Sequence, residues 1–127
     1  MKIIIEKDEN SIASESGNFC KWIRKYHGDW EVVLPESTPK RILNDSSLIL
    51  PLVTLLAEPD LLNYLKLVTE YFAFRFKGDL QSDRNVVNVR CIVKTPDGYE
   101  KHYEFNGPES AFREKVENFD INGFYKE

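Results

Sequence analysis

The residue types that most often carry out catalysis are sparse in this chain. Its two histidines are His27, beside a glycine where a helix is expected to end, and His102, on the expected outer face of a hairpin strand. General acid–base catalysis needs a histidine close to a nucleophile or an orienting group. No serine or cysteine is arranged in sequence as such a nucleophile. We therefore expect a surface or capping role for both histidines.

No familiar catalytic or cofactor-binding motif occurs either. The sequence contains no G-x-S-x-G, H-E-x-x-H or C-x-x-C motif and no glycine-rich phosphate loop. The carboxylates of Glu70, Asp79, Asp83 and Asp97 lack the spacing of a calcium loop or a catalytic dyad. We predict that the chain is not an enzyme and holds no cofactor and no metal ion. Catalysis would need a pocket that gathers Glu70, His102 and a hydroxyl group.

A cluster of basic residues could bind phosphate or nucleic acid, with aromatic rings nearby. The cluster consists of Lys21, Arg24, Lys25, Lys40 and Arg41. At helical spacing, however, the neighbouring Trp22 and Tyr26 face inward while the charges face solvent, as on any amphipathic helix. The formal net charge of −4 also differs from the basic balance of a dedicated nucleic-acid binder. We predict no nucleic-acid partner.

Composition and length indicate one globular domain spanning residues 1–127. Hydrophobic residues make up 42% of the chain and charged residues 30%, which is typical of a globular protein in water. The apolar start, Ile3 to Ile5, is too short for a signal peptide, and no apolar run is long enough to span a membrane. We therefore predict a cytoplasmic protein without membrane contact, in which Cys20 and Cys91 are free buried thiols.

The first half of the chain predicts a strand, a helix and a second strand. Ile3 to Ile5 is typical of a central strand buried on both faces. Over Ser16 to Tyr26, apolar residues recur at helical spacing, and Trp30 to Leu34 resembles a strand. Pro35 to Ser47 is expected to be an irregular connection.

The stretch from Leu48 to Ala57 is ambiguous. Its apolar residues are compatible with a strand broken by Pro51 or with a short helix that starts there. Periodicity cannot decide for so short a run, and we slightly favour the helix.

The second half predicts a long apolar helix, a hairpin and a final helix. Thr95 to Gly98 is a strong turn signal between Val86 to Lys94 and Tyr99 to Asn106. Val87, Val89, Cys91 and Val93 are expected to face inward, as are Tyr99, Tyr103 and Phe105 on the partner strand; Phe112, Val116 and Phe119 form the inward stripe of the last helix. The fold class is therefore α+β, with about four strands and three or four helices in the order β-α-β-(α)-α-β-β-α.

The helix from Leu61 to Lys77 is apolar on nearly every side. A core position explains Leu61, Leu65, Val68 and Phe72, but Leu62 and several aromatic residues are left over. A helix that is apolar all round is either central to its domain or part of an interface. We predict that the surplus contacts a second chain, which is a protein partner or a copy forming a homodimer. The predicted interface residues are Tyr64, Tyr71, Phe74 and Phe76, with Pro35 to Ser47 as a second contact region.

The order of these elements, together with a few short motifs, resembles the effector-associated constant component family. The motifs are Trp22-Ile23, Leu34-Pro35, Tyr71 to Lys77 and Asp97-Gly98. The resemblance spans nearly the whole chain. It implies a small non-catalytic adaptor that accompanies effector components in bacterial conflict and antiviral defence systems.

We therefore expect a non-catalytic protein-interaction module, associated with a bacterial defence or effector system. The alternative is an immunity-type protein that binds and inhibits a toxin enzyme. Such a protein would use acidic surface, namely Glu6, Asp8, Glu9 and Glu15, against a basic target.

Overall fold

The chain has an α+β fold, as predicted, in a computed structural model that describes residues 1–7, 12–13, 15–35, 40–41, 48–77 and 85–126. Within these ranges there are four helices, a six-stranded sheet and a separate two-stranded pair. The elements are β1 (Lys2–Ile5), β2 (Ile12–Ala13), α1 (Ser16–Tyr26), β3 (Glu31–Val33), β4 (Lys40–Arg41), β5 (Leu48–Ile49), β6 (Val53–Leu55), α2 (Asp60–Arg75), β7 (Val86–Lys94), β8 (Glu100–Pro108), α3 (Glu109–Glu117) and α4 (Ile121–Lys126).

The main sheet is mixed, with β7 as its longest inner strand. Strands β3, β1, β6 and β7 are neighbours in that order, and β8 pairs along the other edge of β7. β1 is parallel to β3 and antiparallel to β6, whereas β6 is parallel to β7. The β1–α1–β3 segment is therefore the predicted β-α-β opening, joined to a C-terminal hairpin through β6.

The stretch from Leu48 to Ala57 forms two strands, so the favoured helix was wrong and the sheet has more strands than predicted. β5 and β6 follow one another along the same edge of β7, with Ile49 opposite Asn88 and Val53 opposite Cys91. Three residues separate Ile49 from Val53, but only two separate Asn88 from Cys91. This extra residue is a bulge at Pro51, whose nitrogen has no hydrogen to donate to the ladder.

Strand β1 is less buried than predicted. Ile3 and Ile5 have almost no exposed surface, whereas Ile4 is only partly buried. The strand therefore alternates between a core face and an outer face, because the helices cover one side of the sheet.

The C-terminal hairpin forms as the turn residues predict. Gly98 has a φ of 85°, and its amide donates to the Thr95 carbonyl at 3.1 Å. The inward row of β7 is buried along its length. Tyr99 was predicted to face inward, but it is 74% exposed because it belongs to the turn and precedes β8.

Helix α2 is buried on three sides, which accounts for its composition. The predicted core residues Leu61, Leu65, Val68 and Phe72 have no exposed surface. On one flank, the ring of Tyr71 lies 4.8 Å from that of Phe19 on α1. On the other flank, Phe72 lies 5.5 Å from Phe112 on α3. The sheet, α1 and α3 together cover most of the apolar surplus that the sequence assigns to a second chain.

The chain after the hairpin forms two helices where one was predicted. Phe112 and Val116 of α3 are buried, and Phe119, in the connection to α4, is partly buried. Helix α4 continues this layer, and its Tyr125 hydroxyl donates to the carbonyl of Glu58 at 2.8 Å. The predicted contact region from Pro35 to Ser47 lies outside the described residues, apart from Pro35 itself and β4.

Both cysteines are free and buried, as predicted. Burial raises the pKa of the Cys91 thiol from 9.0 to about 12, and burial also raises the pKa of Cys20, although Arg24 opposes that effect. Both thiols therefore stay protonated in the folded chain under conditions where unfolded thiols begin to ionise.

We predict that the folded protein resists thiol-specific reagents. At pH 8 both cysteines should react rapidly in denaturant and slowly in the native state, since the thiolate is the reactive form. The free energy of unfolding should fall as the pH rises from about 9, because the unfolded state then releases thiol protons that the folded state retains. Single Cys20→Ala and Cys91→Ala variants assign each labelling rate. Fast native labelling of Cys91 would contradict its placement in the core.

Candidate functional site

An open groove lies between α1 and the C-terminal end of α2, and four aromatic side chains line it. Trp22 and Tyr71 are buried beneath it, whereas Tyr26 and Phe74 are 54% and 50% exposed. The Tyr26 and Phe74 rings are 6.1 Å apart, and each contacts Trp22. The groove encloses about 360 Å³, and we call it the α1–α2 groove; its lining residues are Asn18, Lys21, Trp22, Lys25, Tyr26, Tyr71, Phe74 and Arg75.

The exposure of Tyr26 corrects the sequence-based interpretation of α1. Its spacing placed it on the inward stripe, but it lies in the last turn of the helix, where contacts with Phe74 and Trp22 leave about half of it exposed. Trp22, one turn earlier, is 8% exposed and packs 5.2 Å from Tyr71. The aromatic stripe of α1 therefore runs from the core out to the surface of the α1–α2 groove.

Positive charge surrounds these aromatic rings. Lys21 and Lys25 lie one turn apart on α1, both exposed, and Arg75 ends α2. The Lys25 ammonium group is 5.3 Å from the centre of the Tyr26 ring, within cation–π range. The α1–α2 groove thus combines an apolar floor with a cationic rim.

A largely buried carboxylate, that of Glu15, fixes one end of the α1–α2 groove. The Tyr71 hydroxyl and the Arg75 Nε both donate to Glu15 Oε1, the latter at 2.6 Å. The Glu15 side chain is only 12% exposed. Burial, together with this carboxylate, raises the pKa of Tyr71 far above its ordinary value, and the hydrogen bond to Glu15 raises the pKa of Arg75. Tyr71 therefore remains a donor, and the three side chains tie the start of α1 to the end of α2.

A second contact joins the other end of α1 to α2. His27 Nε2, just after α1, lies 2.7 Å from Glu70 Oε2 on α2. The His27 ring also packs 5.2 Å from the ring of Trp22. The two polar contacts, one at each end of α1, hold that helix against the C-terminal part of α2, where Trp22 packs.

The structure divides the four predicted interface residues. Tyr64 and Tyr71 have no exposed surface, so their assignment to an interface is corrected: α1 covers them within the same chain. Phe76 is partly buried against the core and contacts Phe72. Phe74 alone of the four is half exposed. The pattern of α2 could not distinguish them, because the position of α1 decides which are covered.

The residues named for an enzyme do not meet. Glu70 is on α2, which packs on the inner face of the sheet, whereas His102 is on the outer face, opposite Ile92. Among the described residues, no group of three or more histidine, cysteine, aspartate or glutamate side chains could hold a metal ion. The acidic set proposed for toxin inhibition is partly engaged, because Glu15 binds Arg75 and Glu6 accepts from Thr54 at 2.8 Å. Asp8 and Glu9 lie outside the described residues.

Comparisons with known proteins return no match among protein-family models, curated proteins or solved structures. The resemblance to the effector-associated constant component family therefore stays a prediction from motifs. None of the described helices combines the length and apolar content that crossing a membrane would require. The geometry of the α1–α2 groove is thus the main support for a functional proposal.

We predict different effects on stability from removing two tyrosine hydroxyl groups. Tyr71→Phe should lower the free energy of unfolding by about 1.5–3 kcal/mol, because a hydrogen bond to a charged, buried carboxylate is lost. The matched Tyr64→Phe should leave stability unchanged or raise it, since that buried hydroxyl has no hydrogen-bond partner in the described part of the chain. Urea unfolding of both variants measures the difference. Equal losses would show that the contact with Glu15 adds nothing to stability.

Proposed function

We propose that this chain is a non-catalytic protein-interaction module that binds a protein partner in the α1–α2 groove. The observation that supports this most is the pair of half-exposed rings, Tyr26 and Phe74, above a buried tryptophan. Aromatic side chains are enriched at protein interfaces and supply much of the binding energy there. A partner's apolar side chain packed against the exposed surface of these rings would remove them from water.

The way the groove is held supports a binding role. Its floor, Trp22 and Tyr71, belongs to the core, and its helices are fixed by Glu15–Arg75 and His27–Glu70. A surface already in its binding shape loses little conformational entropy on association. Glu70 and His102 lie on opposite faces of the sheet and cannot act together as acid and base, which favours binding over catalysis.

The resemblance to an adaptor family supplies the proposed setting. We place the module in the cytoplasm, as an adaptor in a bacterial defence or effector system, with an effector component as partner. The toxin-inhibitor alternative receives less support, because Glu6 and Glu15 make contacts within the chain and offer less free acidic surface.

Selection of peptides from a random display library tests the proposal while the partner is still unidentified. Peptides are selected on the native chain and then compared for binding to Phe74→Glu. Leu56→Glu is the matched control, since Leu56 is 46% exposed but lies outside the α1–α2 groove. Circular dichroism and thermal unfolding establish that both variants remain folded.

We predict that selected peptides lose at least tenfold in affinity for Phe74→Glu, which corresponds to about 1.4 kcal/mol, and bind Leu56→Glu like the native chain. Titration calorimetry measures both. Failure to enrich any peptide, or peptides that bind native chain and Phe74→Glu equally, would contradict a binding role for the groove.

A further inference from the structure

The charges around the α1–α2 groove are unbalanced. Lys21 and Lys25 form no ion pair with any residue in the described part of the chain. Both lysines line the groove from α1, one helical turn apart. The chain as a whole carries a formal net charge of −4, so the charge of this rim is opposite in sign to that of the whole chain. Opposite charge across an interface steers association and selects partners.

The far end of the groove already holds a carboxylate. Arg75 donates to both oxygens of Glu15, at 2.6 and 3.4 Å, and Tyr71 adds a third hydrogen bond. Planar guanidinium groups suit this kind of recognition. The contact shows within one molecule that an acidic side chain fits beside the aromatic rings.

We infer that the partner of the α1–α2 groove is an acidic protein segment that carries an apolar anchor. The anchor, an aromatic or large aliphatic side chain, packs against the exposed faces of the Tyr26 and Phe74 rings. Aspartate or glutamate residues flanking it pair with Lys21 and Lys25. This inference rests on the proposed function and specifies the chemistry of its partner.

A second copy of the chain fits the groove poorly. In a two-fold symmetric dimer the same patch faces itself, so the rim of Lys21 and Lys25 would meet its own positive charges. Like charges placed opposite one another oppose association. The charge distribution therefore favours a partner of different composition over self-association.

The same display selection, read for charge, tests the inference. Enriched peptides should carry net negative charge next to an aromatic or aliphatic residue. Two synthetic peptides then serve as probes: the most enriched sequence, and the same sequence with every aspartate and glutamate changed to asparagine and glutamine. The acidic peptide should bind about tenfold more tightly, and its advantage should shrink as salt is added.

Charge reversal on the protein provides the matched control. Lys21→Glu/Lys25→Glu should weaken the acidic peptide at least tenfold. Lys66→Glu/Lys94→Glu makes the same change in net charge at exposed positions outside the groove and should have little effect. Light scattering of the native chain over a dilution series should show a monomer.

The outcomes separate this inference from the proposed function. Peptides that depend on Phe74 but bind equally well in acidic and amide form would keep the binding role and overturn the acidic partner. Enrichment of basic peptides that depend on Phe74 would also keep the binding role and overturn the acidic partner. A concentration-dependent dimer disrupted by Phe74→Glu would make a second copy the occupant. A single-stranded oligonucleotide that binds more tightly than the acidic peptide, and depends on Phe74, would identify nucleic acid instead.

Discussion

The burial of α2 on three sides is the constraint on which the rest of the structure depends. Its side chains face the sheet, α1 and α3, and each fully buried large apolar side chain contributes roughly 1.5–3 kcal/mol. A helix with a single apolar stripe would need only the sheet. Because α2 is apolar nearly all round, α1 and α3 must both lie against it. Their positions follow from Phe19 meeting Tyr71 and Phe112 meeting Phe72.

The α1–α2 groove results from where this coverage ends. Helix α1 covers Tyr64 and Tyr71 fully, whereas Phe74 contacts Trp22 and Tyr26 of α1 on one side and stays half exposed. The polar contacts at Glu15 and His27 hold α1 in this position. An aromatic surface therefore remains open at the end of a well-packed helix pair, and the lysines of α1 stand beside it because they occupy the solvent face of the same helix.

Much of the local structure could be predicted from sequence, because it depends on local signals. The bounds of α1, the core stripe of α2 and the turn at Thr95 to Gly98 all follow from periodicity or turn chemistry. The covered face of β7 follows from alternation.

The candidate site was harder to predict because it depends on the relative placement of helices. Tyr71 and Phe74 look equivalent in sequence, and only the contact with α1 separates a core ring from a surface ring. The aromatic and basic residues of α1 resemble those of an ordinary amphipathic helix, and the available signal was the position of Tyr26 in the last turn, where a neighbouring helix covers side chains least. For β5 and β6, strand pairing with β7 outweighed the local preference that Pro51 suggested.

The bulge at Pro51 has a consequence for chain length. The residues of the run that belong to the hydrophobic core are Leu48 and Leu50 before the proline, and Val53 and Leu55 after it. Even-numbered residues therefore face the core before Pro51, and odd-numbered residues face the core after it. Side chains alternate strictly along a strand, so only an odd count of extra residues brings both halves to the same face. The parity of this connection is thus fixed by the core, even where the identity of the bulged residue is not.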